Sequence, residues 1–349
     1  TFIGYGAGRY TTGSYNTFVG YESGKGGTTS APYSSGIKNV AIGTYALDAF
    51  TTGFNNTALG YAALRSNTEG LNNAAIGLNS LYSNTEGEGN VAVGYESLES
   101  NTTADYNTSV GYQSMMNTTT GWYNAALGKY ALKANTTGQY NAAFGANSLS
   151  SNTTAGSNTG LGFNTLVKNT TGSYNTAAGQ GALYYNTTGT KNTASGSSAL
   201  RLNTTGSYNT GIGNRALDAN TEGDKNTVLG YYAGGLNTTG DANVFIGYQA
   251  GYNSSYATSD NKLVIANSNT TSPLVSGDFD AATLKVNGSL SVTGSMNMGV
   301  NSTITSSTTF NGTATVIPVN TSGGAVTLTI DSDQKVAGRI LIIKQMTEN

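Results

Sequence analysis

The stretch Asn56-Thr-Ala-Leu-Gly-Tyr-Ala-Ala-Leu-Arg-Ser-Asn-Thr-Glu-Gly-Leu-Asn72 decides the fold of this chain, because variants of it recur every 17 residues. Its pattern Asn-x-x-aliphatic-Gly places a Gly at the same point of each copy. A fixed short period indicates a stacked, quasi-one-dimensional structure. Two copies, with steps of 16 and 23 residues, precede the regular ones, and their glycines are Gly4 and Gly20. The repeat glycines at steps of 17 residues are Gly43, Gly60, Gly77, Gly94, Gly111, Gly128, Gly145, Gly162, Gly179, Gly196, Gly213, Gly230 and Gly247.

Within one copy, large and small residues alternate around the Gly. Thr57, Leu59 and Tyr61 share one parity, whereas Ala58 and Gly60 share the other. This alternation predicts a short strand with a large-residue face and a small-residue face. A helical solenoid is disfavoured, because each Gly costs about 1 kcal/mol inside a helix.

A second apolar position, Leu64 in this copy, is followed by the turn sequence from Asn67 to Gly70. Asn and Gly accept left-handed backbone conformations, so this segment is predicted to be the turn. Seventeen residues can form two strands of about five residues and two turns, which closes one coil. Fifteen coils at about 4.8 Å would form a rod section on the order of 70 Å long.

The alternation also predicts where the side chains of each coil lie. We expect the aliphatic residues to stack in columns inside the coils and the repeat Asn residues to stack at the corners, bonded to turn backbone. Such a coil encloses a thin core. The small-residue face (Ala58, Gly60 and equivalents), or the constant small residue at Ala63, is therefore predicted to contact partner chains in a threefold fibre.

Composition excludes several classes of function. Among 349 residues there is no His and no Cys, so imidazole bases, thiol nucleophiles and Cys/His zinc sites are absent. The net charge is −2 without a basic cluster, which disfavours nucleic acid binding. No apolar run of about 18 residues predicts a membrane span, and no signal peptide is evident. We expect no catalytic residues, no cofactor and no metal.

Three regions follow one another along the chain. Residues 1–252 are predicted to be the repeat array, 253–300 a β-rich neck, and 301–349 the start of a C-terminal β-domain. Strands are predicted at 262–266, 273–275, 283–286, 290–292, 314–319, 325–330 and 339–343. The first copy would need its Asn one residue before Thr1, so we expect the chain to be a piece of a longer protein.

The motif Asn56 to Leu64, with its Asn-Thr-Thr-Gly turns, resembles the YadA-like head repeats of trimeric autotransporter adhesins. That resemblance implies a left-handed parallel β-roll in a homotrimer. A second resemblance, to bacteriophage tail fibres, is carried by the segments 243–252, 260–267, 272–279 and 286–294. The period of 17 is longer than the usual head repeat and no coiled-coil stalk follows, which favours a fibre of mostly β structure.

Few side chains form candidate sites. The carboxylate pairs Asp278/Asp280 and Asp331/Asp333 could bind Ca²⁺ or act as acid and base, but each also suits a turn between strands. Gly4 to Gly8 superficially resembles a phosphate loop, lacks Lys, and is interpreted as a repeat copy. Sequons such as the one at Asn135 are interpreted as corner Asn and turn Thr.

A tyrosine column remains open to two interpretations. Tyrosine often precedes the repeat Asn, and such a column could stack on sugars or could pack between coils as a ladder. The packing interpretation is favoured. These residues are Tyr15, Tyr106, Tyr123, Tyr140, Tyr174 and Tyr208.

Three functions compete. The first is the shaft of a virion tail fibre for host attachment. Its expected partners are further copies of the same chain, other fibre or tail proteins, and a host receptor, which we expect to be a polysaccharide. The second is a trimeric adhesin on a bacterial cell surface. The third is a depolymerising tailspike enzyme, which the few and scattered acids, such as Glu69, Glu86 and Glu222, disfavour.

Overall fold

The computed structural model describes residues 1–27 and 31–288, together with the backbone of four short strands beyond them. Residues Thr1–Gly288 form one compact unit, most of which is a parallel β-solenoid with one strand per 17-residue coil. The array strands are β1 (Phe2–Ile3), β2 (Thr17–Val19), β3 (Val40–Ile42), β4 (Thr57–Leu59), β5 (Ala74–Ile76), β6 (Val91–Val93), β7 (Thr108–Val110), β8 (Ala125–Leu127), β9 (Ala142–Phe144), β10 (Thr159–Leu161), β11 (Thr176–Ala178), β12 (Thr193–Ser195), β13 (Thr210–Ile212), β14 (Thr227–Leu229) and β15 (Val244–Ile246).

The coils stack in strict register. Each array strand pairs in parallel with the strand of the next coil, so that Leu59 lies opposite Ile76, which lies opposite Val93. The predicted column of residues before the repeat Gly is therefore confirmed. The described residues contain no α-helix, and the all-β prediction is confirmed with it.

The prediction of two strands per coil is wrong, because only one three-residue strand forms in a typical coil. After Leu59 the chain enters left-handed backbone at Gly60 (φ +139°), Ala62 (φ 53°) and Leu64 (φ 50°), and alternating left-handed residues cannot form a strand. Hydrogen bonds between stacked coils still satisfy backbone amides of this segment. The Ala62 amide donates to Thr44 O at 2.9 Å and the Leu64 amide to Ser80 O at 3.0 Å.

The predicted orientation of the strand is also wrong. Ala58 at the strand centre is fully buried, whereas Leu59 beside the repeat Gly is 44 % exposed. The small-residue face thus lines the interior and the aliphatic residues point outward. Ala63 is fully buried in its own coil as well, so neither it nor Ala58 can contact a partner chain. Gly60 serves coil stacking instead, since a Cβ there would lie 2.5 Å from Gly77 O.

In most coils the interior holds one large side chain, which explains this orientation. In the middle coils that side chain is the second apolar residue, such as Leu64, and it is buried in the same core cluster as the strand's Ala. Near the ends of the array, the large side chain lies on the strand and a Gly takes the second apolar position. Phe18 lies opposite Gly24 and Phe245 opposite Gly251, and a Cβ would come within 2.5 Å of the Phe18 ring or 2.8 Å of the Phe245 ring. A strand-centre Leu opposite Leu64 would overfill the coil.

The corner Asn residues form the predicted ladder. The backbone amide of Asn73 donates to Asn56 Oδ1 at 3.0 Å, and the side-chain Nδ2 of Asn73 donates to Gly87 O at 2.8 Å. The pattern repeats from coil to coil, with these side chains buried. Each Asn thereby bonds both the coil before it and the turn that follows, which fixes the register.

A second ladder uses the Asn of the turn sequence. Asn84 Nδ2 donates to Asn67 Oδ1 at 2.6 Å and to Gly87 O at 3.0 Å. Neither Asn67 nor Gly70 has positive φ. The argument that these two residues are needed for left-handed backbone conformations in the turn is therefore wrong. The Asn is needed for its side-chain amide, and Gly70 for space, because a Cβ would lie 2.6 Å from Gly87 O.

One rung of the second ladder is missing at Thr118. Residue 118 holds the position that Asn holds in neighbouring coils, and Thr has no amide to donate to Asn101. Asn101 Oδ1 is consequently buried without a hydrogen-bond partner. On the other side, Asn135 Nδ2 reaches Thr118 Oγ1 only at 3.5 Å.

We predict that Thr118→Asn stabilises the array by about 1 kcal/mol, because it supplies a donor to a buried acceptor. Slower amide exchange in the coils around residues 101–135 is the expected measurement. The matched control is Asn169→Thr, which removes an intact rung and should cost about 1–2 kcal/mol. Faster exchange in Thr118→Asn than in the parent would contradict this account of the ladder.

The sheet continues past the last repeat. After the short 3₁₀ turn Ser254–Tyr256, β16 (Lys262–Ile265) pairs in parallel with β15. Strands β17 (Val275–Asp278) and β18 (Thr283–Val286) then add antiparallel. The strands predicted at 262–266 and 283–286 are found, and the one predicted at 273–275 begins two residues later. The strand predicted at 290–292 lies outside the described residues.

A second unit comprises Ser289–Asn349. Its described strands are β19 (Thr308–Phe310), β20 (Val316–Asn320), β21 (Leu328–Ile330) and β22 (Ile342–Met346). β19 pairs in parallel with β21, and β20 pairs in parallel with β22. Three of the four overlap the strands predicted from sequence, and β19 was missed.

Candidate functional site

An apolar stripe, formed by the residue before each repeat Gly, runs along the surface of the array. Strand register places these outward side chains one above another along the whole array. Most are large and aliphatic, and Leu127, Leu161 and Leu229 are each at least half exposed. We call this set the aliphatic stripe: Ile3, Val19, Ile42, Leu59, Ile76, Val93, Val110, Leu127, Phe144, Leu161, Ala178, Ser195, Ile212, Leu229 and Ile246.

An aromatic column borders this stripe. The residue after the repeat Gly also points outward in many coils, as Tyr61, Tyr95 and Tyr112 do. Tyr95 and Tyr112 stack with ring centroids 5.1 Å apart. Together the two columns make an apolar face that extends over many coils, whereas soluble monomers ordinarily expose apolar patches of a few hundred Å².

The tyrosines before the repeat Asn form a different surface, at the corner of the coil. Tyr106, Tyr123 and Tyr140 stack face to face, with centroids 5.1 and 5.8 Å apart and ring planes within 12°. Trp122 adds a tilted contact to Tyr140 at 5.1 Å. For these three tyrosines the ladder interpretation is confirmed.

The first ring of this stack is anchored by an acid. The Tyr106 hydroxyl donates a hydrogen bond to Glu88 Oε1, and this bond raises the pKa of Tyr106 to about 12. Tyr106 thus stays neutral well above the pH at which an ordinary tyrosine ionises.

The stack ends at Tyr140, because residue 157 in the next coil is Ser. Tyr174, one coil further on, is 63 % exposed, and no ring or cation contacts it within the described ranges 1–27 and 31–288. Tyr208 differs, since Lys191 Nζ lies 4.8 Å from its ring centroid. The sequence revealed the tyrosine column but not this interruption of the stack.

The acidic pairs behave as turn residues where the structure describes them. Asp278 Oδ1 accepts the amides of Asp280 and Ala281 in the β17–β18 turn, and its Oδ2 accepts from Lys262 Nζ at 2.6 Å. The Lys262 bond lowers the pKa of Asp278. Asp280 accepts from Asn261 Nδ2. Asp331 and Asp333 lie outside the described residues.

The remaining candidates are parts of the coil. Gly4, Gly6 and Gly8 have positive φ, and the Phe2 ring covers Gly8. Asn135 is buried, and its Nδ2 donates to Gly138 O at 3.0 Å, as predicted for a corner Asn. In the described part of the chain, no group of three or more acidic residues is placed to bind a metal ion. No helix there has the length and hydropathy that a membrane crossing requires.

Comparisons with models of known protein families, with curated proteins and with solved structures gave no match.

Proposed function

We propose that this chain is part of the structural shaft of a phage tail fibre that serves host attachment. The observation that carries the proposal is the aliphatic stripe on a register-locked array. Such a face is unfavourable in water where its side chains are large and apolar, and each coil except those of Ala178 and Ser195 adds one such side chain. A protein whose surface repeats in this way is suited to lateral assembly and to spanning a distance.

The assembly that we propose is a parallel homotrimer, joined through the aliphatic stripe. Parallel copies around a common axis would bring identical rungs to the same level, so each coil would meet its equivalents. The number three comes from the resemblance to the trimeric adhesin heads. The small-residue face, first considered for this contact, is excluded because Ala58 and Ala63 are buried inside the coil.

The biological setting is tested by antibody labelling. Antibodies raised against the 349-residue chain should bind to the tail fibres of phage virions that contain this protein, as seen by negative-stain electron microscopy. Labelling of bacterial cell surfaces in the absence of phage would reject the fibre and support the adhesin. The virion is accordingly the proposed location.

We also propose that the array is not an enzyme. Glycosidases need two positioned carboxylates, and several acids of the array bond neighbouring groups instead. Asp224, for example, accepts the amide of Ser207 at 2.7 Å. Incubation of the chain with host polysaccharide should release no reducing sugar. Release that disappears on replacement of one acidic pair would make the tailspike enzyme the better description.

A further inference from the structure

We propose that the gap between Tyr140 and Tyr174 is a binding slot for one neutral sugar ring. The slot takes the place of the missing aromatic rung at Ser157. This inference names a receptor chemistry for the proposed attachment role and rests on that role for its biological meaning. The binding itself requires only the array.

The size of the slot follows from the coil spacing. Tyr140 and Tyr174 are two coils apart, which corresponds to about 9.6 Å along the array. One ring placed midway would lie about 4.8 Å from each tyrosine, close to the 5.1 and 5.8 Å centroid distances of the existing stack. The gap therefore has the height of one ring.

One wall of the slot is fixed by the stack below it. Tyr140 stacks on Tyr123 with ring planes 10° apart, so its other face is directed along the array towards the level of Ser157. Trp122, from the coil of Tyr123, supports Tyr140 from the same side as that stack. Tyr174 has the same repeat position and the same left-handed backbone, with φ 63° against 59° for Tyr140.

The polar groups around the gap suit a polyol. Ser157 is half-buried at the level of the gap, and Ser173 Oγ, in the coil of Tyr174, accepts the Gly156 amide at 3.1 Å. Hydroxyl groups beside an aromatic wall can bond sugar hydroxyls while the ring stacks on the tyrosine.

The charge pattern selects a neutral ligand. The two residues before the repeat Asn are uncharged in all three coils that form the slot. Charges return on both sides, with Glu88 and Asp105 before it and Lys191 after it. Lys191 also shows how such a gap is closed, since its Nζ donates to the Tyr208 hydroxyl at 3.1 Å. Ser157 is too short to close the gap in the same way.

Trp122 provides the readout, because it is the single tryptophan of the chain and contacts Tyr140. Maltotetraose, the tetramer of N-acetylglucosamine, methyl galactoside and methyl mannoside are titrated into the 349-residue chain while tryptophan fluorescence and binding heat are followed. We expect saturable binding of at least one of them, with a dissociation constant on the order of 1 mM for a single ring.

Ser157→Tyr is the deciding variant, since it completes the stack at a position where other coils already hold Tyr. It should keep the fold and weaken sugar binding at least tenfold. Tyr174→Ala, which removes one wall, should do the same. Tyr208→Ala, two coils away, is the matched control and should bind like the parent.

Three results would overturn the inference: no saturable binding by the parent, unchanged binding by Ser157→Tyr, or tighter binding of adenosine, a planar aromatic ligand, than of any sugar. The proposed fibre role would survive all three, because antibody labelling tests it separately. Conversely, sugar binding lost in Ser157→Tyr would stand even if the labelling placed the chain elsewhere.

Discussion

Gly128→Val is expected to disrupt the array locally, with a cost of at least about 3 kcal/mol. Gly128 has φ +138°, a conformation that Val cannot adopt without strain, and a Cβ there would lie 2.7 Å from both the carbonyl carbon and oxygen of Gly145. The neighbouring coil cannot move aside, because it is itself held in register by the next one.

Amide exchange measured by mass spectrometry is the suitable observable, since coils in a solenoid can open locally. Protection should fall in the coils around residues 111–160. Gly181→Asn is the matched control: a Cβ there meets nothing nearer than Ser198 Oγ at 3.8 Å, and Asn164 holds the same position with φ 57°. If Gly128→Val exchanges like Gly181→Asn, the close-approach argument is wrong.

The second large effect is expected on assembly. Replacing Leu127 and Leu161 together by Glu puts two carboxylates into the aliphatic stripe. If the stripe is the trimer interface, each chain loses about 1.5–3 kcal/mol per Leu and adds a buried charge that lacks a partner. The concentration for half-assembly should rise more than a hundredfold, as measured by analytical ultracentrifugation.

The fold of each chain should persist in this variant, because both side chains point away from the interior. Thr137→Glu with Thr171→Glu is the matched control, since it adds the same charge at exposed turn positions where Glu69 occurs naturally. Equal assembly of the two double variants would show that the stripe does not join the chains.

Much of the fold could be predicted from the sequence, since the period alone determines register. The column through Leu59, Ile76 and Val93 and the ladder of corner Asn residues followed from spacing. Which face lies inside did not follow. Alternation distinguishes two faces of the strand but does not say which one lies inside. That choice depends on the volume of the interior, as the coil of Phe18 and Gly24 shows, where the large and small residues take the opposite positions to Ala58 and Leu64.

The surfaces were harder to predict than the fold. A tyrosine column is visible in the sequence, but whether its rings stack or stand apart depends on the residues at the same position in adjacent coils. Ser157 matters only once coil stacking places it between Tyr140 and Tyr174.

The mass of the parent chain in solution tests the central claim most directly. Native mass spectrometry with light scattering should give three times the chain mass of 35.7 kDa, in a parallel particle whose stripe is covered. A stable monomer at micromolar concentration, with the aliphatic stripe open to water, would contradict the account.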